Sequence, residues 1–140
     1  MVPRLTAFAV LLPLLGACAP QGQPDAGTPT ADTTARKAYP VYFEPWSGEL
    51  DEPAREGLRQ AAALARAHPQ VPLRVIGFAD PEGSPQANVT LSRLRAEIVS
   101  DELRRNGVAA ERIRLEWRGA AGAAPAGLES RRVEIRIDGG

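Results

Sequence analysis

Cysteine and histidine are nearly absent from this 140-residue chain, which has one of each, Cys18 and His68. A single thiol cannot close a disulfide framework within the chain or supply a CxxC metal site. His68 stands before Pro69 and reads as a surface or helix-ending residue, and no serine has an obvious base partner. Aromatics make up 5% of the chain, and Lys plus Arg equals Asp plus Glu at 17 each. Without a basic stripe or a basic patch interleaved with aromatics, the sequence argues against nucleic-acid binding. The Gly-rich segment 119–127 carries no Gly-Lys-Ser/Thr and is not a phosphate-binding loop. No apolar run reaches the roughly 20 residues that a bilayer-spanning helix needs. These absences give the expectation of a non-enzymatic protein with no metal and no cofactor.

What is present begins with an export-like segment. Arg4 precedes an apolar stretch over 5–16, interrupted by Pro13 and ending in Leu15-Gly16-Ala17-Cys18. That ending resembles the lipobox of bacterial lipoproteins, which implies cleavage before Cys18 and lipidation of its thiol and amine. Ala17-Cys18-Ala19 also satisfies an ordinary A-x-A cleavage pattern. Loss of residues 1–17 removes only Arg4 and leaves a net charge of −1. Multiple acyl chains anchor a protein stably, since each buried methylene contributes about 0.8 kcal/mol. Ala19 is not the Asp that marks inner-membrane retention in enterobacterial lipoproteins, so the resemblance implies the periplasmic face of the outer membrane. In the segment 18–38, Cys18 is followed by a Pro-, Gly- and Thr-rich linker over 19–38 without apolar periodicity. Twenty such residues reach at most roughly 70 Å extended and average nearer 25 Å as a coil.

The folded part is expected over 39–140. Val41-Tyr42-Phe43 predicts a short strand ended by Pro45. Asp51, Glu52 and Pro53 are helix-start signals. Leu50, Ala54, Leu58, Ala61, Ala62 and Ala65 recur at helical spacing and give a face of small residues. Residues 73–78 predict a central strand, apolar on both faces. A second helix runs from about Pro85 to Asn106, with Leu91, Leu94, Ile98 and Leu103 as its expected buried stripe and Gly107 at a left-handed C-cap. Ile113, Leu115 and Trp117, and later Val133, Ile135 and Ile137, alternate with charged residues and predict two further strands. The order is β-α-β-α-β-β, an α+β chain whose sheet contains at least one crossover.

The most specific pattern is Gly77-Phe78-Ala79-Asp80, then Gly83, then Asn88-x-x-Leu91-Ser92-x-x-Arg95-Ala96-x-x-Val99. It resembles the OmpA-like, or OmpA/Pal C-terminal, peptidoglycan-binding domain, and the weaker likeness extends over 39–138. That resemblance implies a mixed sheet with two helices packed on one face. It also implies that Asp80 accepts hydrogen bonds from the ammonium of meso-diaminopimelate in a peptidoglycan stem peptide. Arg95 would grip the carboxylate on the same carbon, since a planar fork of donors suits a carboxylate. Asn88 and Arg131 fall at further binding positions of the family. Each also has a plainer reading: Asp80 as a loop cap paired with Arg95, Asn88 as a helix-start residue satisfying local backbone, Arg131 as an exposed residue at a strand start.

Three departures bear on function. Phe78 replaces the usual His, Ser130 the usual Asn, and Trp46 a polar residue in the first segment. Two functional readings follow. One is a lipid-anchored domain that ties the outer membrane to the cell wall. The other is a module of an envelope assembly, with protein partners and a degenerate peptidoglycan pocket.

Overall fold

A computed structural model describes residues 38–121 and 125–137, which lie within one compact unit, Ala31–Gly140. The export segment, Cys18 and the linker up to residue 37 fall outside the described residues, as does the middle of the Gly-rich segment. The elements are β1 (Ala38–Tyr42), α1 (Glu52–Ala67), β2 (Leu73–Gly77), α2 (Pro85–Arg105), β3 (Ile113–Trp117) and β4 (Arg132–Ile137). Single 3-10 turns precede β3 and β4. The α+β order is the expected one. β1 begins at Ala38, a residue inside the expected linker, because Ala38 still pairs with Arg136. β2 ends at Gly77 rather than Phe78.

The sheet order is β1-β4-β2-β3. β4 is antiparallel to both β1 and β2, whereas β2 and β3 are parallel and joined through α2. In register, Gly77 faces Trp117 on one side and Val133 on the other, and Tyr42 faces Arg132. The carboxyl ends of β1, β2 and β3 and the start of β4 therefore meet at one end of the sheet. Four connecting segments converge there.

One sheet face carries both helices. Asp51 caps α1, its carboxylate accepting from the Ala54 N–H at 2.8 Å. Leu58, Ala61, Ala62 and Ala65 then sit fully buried against Val41, Val133, Ile135 and Val75. Truncating a buried Leu such as Leu58 typically costs about 2–5 kcal/mol. At its other end, α1 finds a cap that sequence spacing could not show. Arg112 donates to the carbonyls of Ala65, His68 and Val71, satisfying the acceptors that a helix end leaves open.

The buried stripe of α2 differs from the expected one. Leu103 is buried, but Leu94 is 47% exposed and Leu91 and Ile98 are only partly covered. The sheet-facing residues are instead Ser92, Arg95, Ala96 and Val99. The reason is close approach. A Cβ on Gly77 would lie 2.0 Å from the Ser92 carbonyl oxygen, so α2 rests on the β2 backbone itself. At the contact itself the side chains are the small ones of Ser92 and Ala96, and Arg95 extends past it toward the end of the sheet. The larger Leu94 and Ile98 turn to the flank, against Gly48. Trp117 likewise leaves the apolar row, being 42% exposed at the edge of the sheet, under the Arg93 guanidinium at 5.3 Å.

Among the described residues no helix covers the opposite face. There Ile76 lies in register between Glu134 and Glu116 and is 1% exposed. Arg74 and Arg118 bond Glu116, and Arg132 and Arg136 bond Glu134, so an arginine–glutamate lattice closes over the strand. Phe78 joins this face, with the Arg132 guanidinium 4.3 Å from its ring centre.

Candidate functional site

A cavity of about 230 Å3 opens where the four segments converge, between the start of α2 and the turns after β1 and before β4. Asp80, Glu82, Asn88, Arg95 and Arg131 are its charged and amide residues, and Trp46, Pro45 and Leu91 supply apolar wall. The four residues singled out from the sequence thus meet in one place. Two carboxylates balance two guanidiniums there, which suits a zwitterion better than a simple anion or cation.

Asp80 lies three residues beyond the end of β2 and is held on every side. Its Oδ1 accepts from the Glu82 N–H at 3.2 Å, as an Asx turn does. Its Oδ2 accepts from the Gly127 N–H at 3.1 Å, the Ser130 hydroxyl at 3.2 Å and Arg131 Nη1 at 3.3 Å. The Glu82 N–H foremost, with the Gly127 N–H and the Ser130 and Arg131 side chains, holds the Asp80 carboxyl below its ordinary value against the opposing effect of burial. Ser130 thereby does work that its position in the sequence did not reveal, joining the turn before β4 to Asp80. Phe78 contributes only its carbonyl to this region, its ring having turned to the other sheet face.

Contrary to the plainer reading of the two residues, Arg95 does not pair with Asp80. It lines the cavity but has essentially no surface open to water. Its Nε donates to the Ser47 carbonyl at 2.8 Å and its Nη2 to the Glu44 carbonyl at 3.0 Å. A third contact, from Nη1 to the Phe78 carbonyl, is long at 3.5 Å. The guanidinium also stacks 5.1 Å from the Phe43 ring centre. Burial lowers its pKa to about 10, the positive charge of Arg131 adds to the shift, and Asp80 opposes it. The partner of Asp80 is instead Arg131, which also donates to the Phe43 carbonyl at 3.2 Å. Arg131 is thus no free strand-start residue.

Asn88 is 2% exposed, and its side-chain oxygen has no hydrogen-bond partner among the described residues. Buried acceptors of this kind are rare because the lost hydration is not repaid. It does not satisfy local backbone with that oxygen. Ser84 does so instead, capping α2 by accepting from the Ala87 N–H at 3.1 Å, a role that the Ser-Pro pair at a helix start could have signalled.

Trp46 is the other feature that residue identity alone concealed. Glu44-Pro45-Trp46-Ser47 closes with a Ser47 N–H to Glu44 carbonyl bond of 3.2 Å, and Trp46 has a φ of +56°. Proline second and a left-handed third residue is the type II turn pattern, which normally asks for Gly or Asn at that third position. The two carbonyls that Arg95 holds belong to the residues closing this turn, so the buried cation fixes an otherwise unfavourable backbone.

Comparison with known proteins agrees with this architecture. The model of the OmpA family matches residues 42–134. The chain is similar to a probable lipoprotein, YiaD, of Escherichia coli, at 32% identity over 69% of this chain and 47% of that protein. It is also similar to a peptidoglycan-binding protein, ArfA, of Mycobacterium bovis, at 34% identity over 86% of this chain and 40% of that one. It thus spans less than half the length of either relative. Among solved structures, the peptidoglycan-associated lipoprotein of Burkholderia pseudomallei superimposes with a TM-score of 0.65 at 25% identity, over 70% of this chain and 88% of that one. With its fold and residues 42–134, two thirds of its length, accounted for in this way, the chain belongs to the OmpA family.

Proposed function

We propose that this protein binds peptidoglycan non-covalently, holding the diaminopimelate of a stem peptide in the cavity beside Asp80. The observation that carries the reading is the unpartnered buried oxygen of Asn88 in a cavity whose charges balance. An ammonium group supplies the donor that the Asn88 oxygen lacks, and the Asp80 carboxylate beside it balances the charge. A carboxylate on the same carbon faces Arg131 and displaces the long Phe78 contact of Arg95, gaining a charge-assisted bond in place of a weak one. No group needs to react, so the site binds rather than catalyses. Cys18 would carry the lipid anchor, placing the domain on the periplasmic face of the outer membrane, with the linker setting its reach to the wall.

A second reading, an interaction module of an envelope assembly, draws on the complete burial of Arg95. Retention on purified sacculi separates the two. Asp80→Asn keeps one acceptor, for the Glu82 N–H, while removing the charge and the oxygen that accepts from Gly127, and Arg95→Lys keeps the charge but removes the fork. Each should weaken retention by about thirtyfold or more, and the double variant should be little worse than either, because the pair acts as a unit. Sacculi with Lys in place of diaminopimelate should be retained poorly. Equal retention of the wild type and both folded variants overturns the reading, and a wild type that is not retained favours the interaction module. For the anchor, Cys18→Ser should release the protein from washed membranes, and persistent membrane fractionation would place the anchor elsewhere.

A further inference from the structure

The turn that carries Trp46 is built at a conformational cost, yet its indole is 60% exposed. A bulky side chain at a φ of +56° is an outlier that persists only when its surroundings enforce it. Here the enforcing groups are Arg95, through its two carbonyl bonds, and Pro45. Core packing does not account for the arrangement, because most of the ring faces outward. Its far edge rests on Gly83, where an added Cβ would meet the ring at 2.6 Å. The indole is therefore fixed in direction while its surface stays open.

It faces a second depression. A shallow groove of about 470 Å3 adjoins the Asp80 cavity, with Trp46 and Leu91 forming the wall between them. Its other surface comes from Ser84, Gln86, Thr90 and Leu94 along the first turns of α2. None of the groove's lining residues is charged, although charged residues are 24% of the chain. A neutral ligand is implied, since the field for an ionic group lies on the other side of the wall. An exposed aromatic plane edged by hydroxyls and an amide suits a pyranose ring, whose C–H face lies on the indole while its hydroxyl and acetamido groups meet the polar edge.

The geometry points to an N-acetylhexosamine subsite on Trp46, contiguous with the Asp80 cavity. This inference rests on the peptidoglycan reading for the larger molecule, in which stem peptide and N-acetylated sugars are covalently joined. The stem peptide supplies the charged end on one side of the Trp46 wall, and the glycan strand supplies the neutral ring on the other. Binding both would select intact wall over free peptide.

The test uses the full-length chain solubilised in detergent, with Trp117→Phe so that Trp46 is the remaining one of the two tryptophans. Titration with tri-N-acetylchitotriose at millimolar concentration should shift and saturate the tryptophan emission. In calorimetry on the otherwise unmodified chain, Trp46→Asn should weaken a disaccharide-tetrapeptide about tenfold more than the sugar-free tetrapeptide. Asn accepts a positive φ, so this variant removes the ring without adding backbone strain. Trp46→Phe should retain most of the difference. No emission change with the trisaccharide, or an equal loss on both peptides, overturns the inference. Failure of the tetrapeptide to bind, with the trisaccharide response intact, overturns the diaminopimelate reading and leaves the sugar subsite standing.

Discussion

At the scale of single residues, the site is a set of polar groups whose partners were chosen by geometry. Asp80 uses both oxygens on the protein, Asn88 leaves its single side-chain oxygen unused, and Arg95 gives its two shorter hydrogen bonds to the turn that holds Trp46. That turn makes a direct prediction. A left-handed conformation costs a non-glycine residue about 1–2 kcal/mol, a penalty that Asn largely avoids. Trp46→Asn should therefore leave stability unchanged or raise it by about 1 kcal/mol in denaturant unfolding. A loss larger than that would mean that the contact of the indole with Gly83 outweighs the strain.

At the scale of elements, the position of α2 decides where every site residue points. The Ser92 carbonyl sits on Gly77, and the Ser92 hydroxyl accepts from the Gly119 N–H at 3.0 Å, joining α2 to the segment after β3. Asn88 lies one turn before this contact and Arg95 about one turn after it, so both are held over the end of β2, where Asp80 emerges. Gly77→Ala places a methyl group against backbone that cannot rotate away. It should destabilise the domain by several kcal/mol, on the order of 3 or more, and sacculus retention should fall with it. A variant with wild-type stability would mean that α2 can lift off the sheet without loss. The same contact explains the misread stripe, because helical periodicity shows which residues share a face but not how close that face must come to its neighbour.

At the scale of the whole molecule, the two sheet faces are closed by different means, helices on one and an arginine–glutamate lattice on the other. The lattice gives stability a particular pH dependence. Hydrogen bonds from Arg74 and then Arg118 hold the Glu116 carboxyl at about 2, below its ordinary 4.5. A depressed carboxylate contributes its stability in full above pH 4.5 and loses it as the pH falls toward 2. The contribution is small because the carboxylate, with its side chain 31% exposed, is still screened by water. Denaturation midpoints of wild type and Glu116→Gln should therefore differ most above pH 4.5 and converge toward pH 2. A difference that stays constant across that range would remove Glu116 from the acid response.

The order of elements, the α1 cap at Asp51, the central place of β2 and the Asp80–Arg95 motif could all be read from the sequence, because each depends on local spacing and side-chain chemistry. The meeting of Asp80, Asn88, Arg95 and Arg131 was legible only through family likeness, since Arg131 lies far along the chain. What the tertiary structure alone decided is which partner each charge takes. Arg95 and Arg131 are the same residue type. One became a buried anchor for the Trp46 turn and the other the direct partner of Asp80, because helix α2 presses so closely on Gly77 that the first guanidinium reaches the backbone carbonyls of the turn.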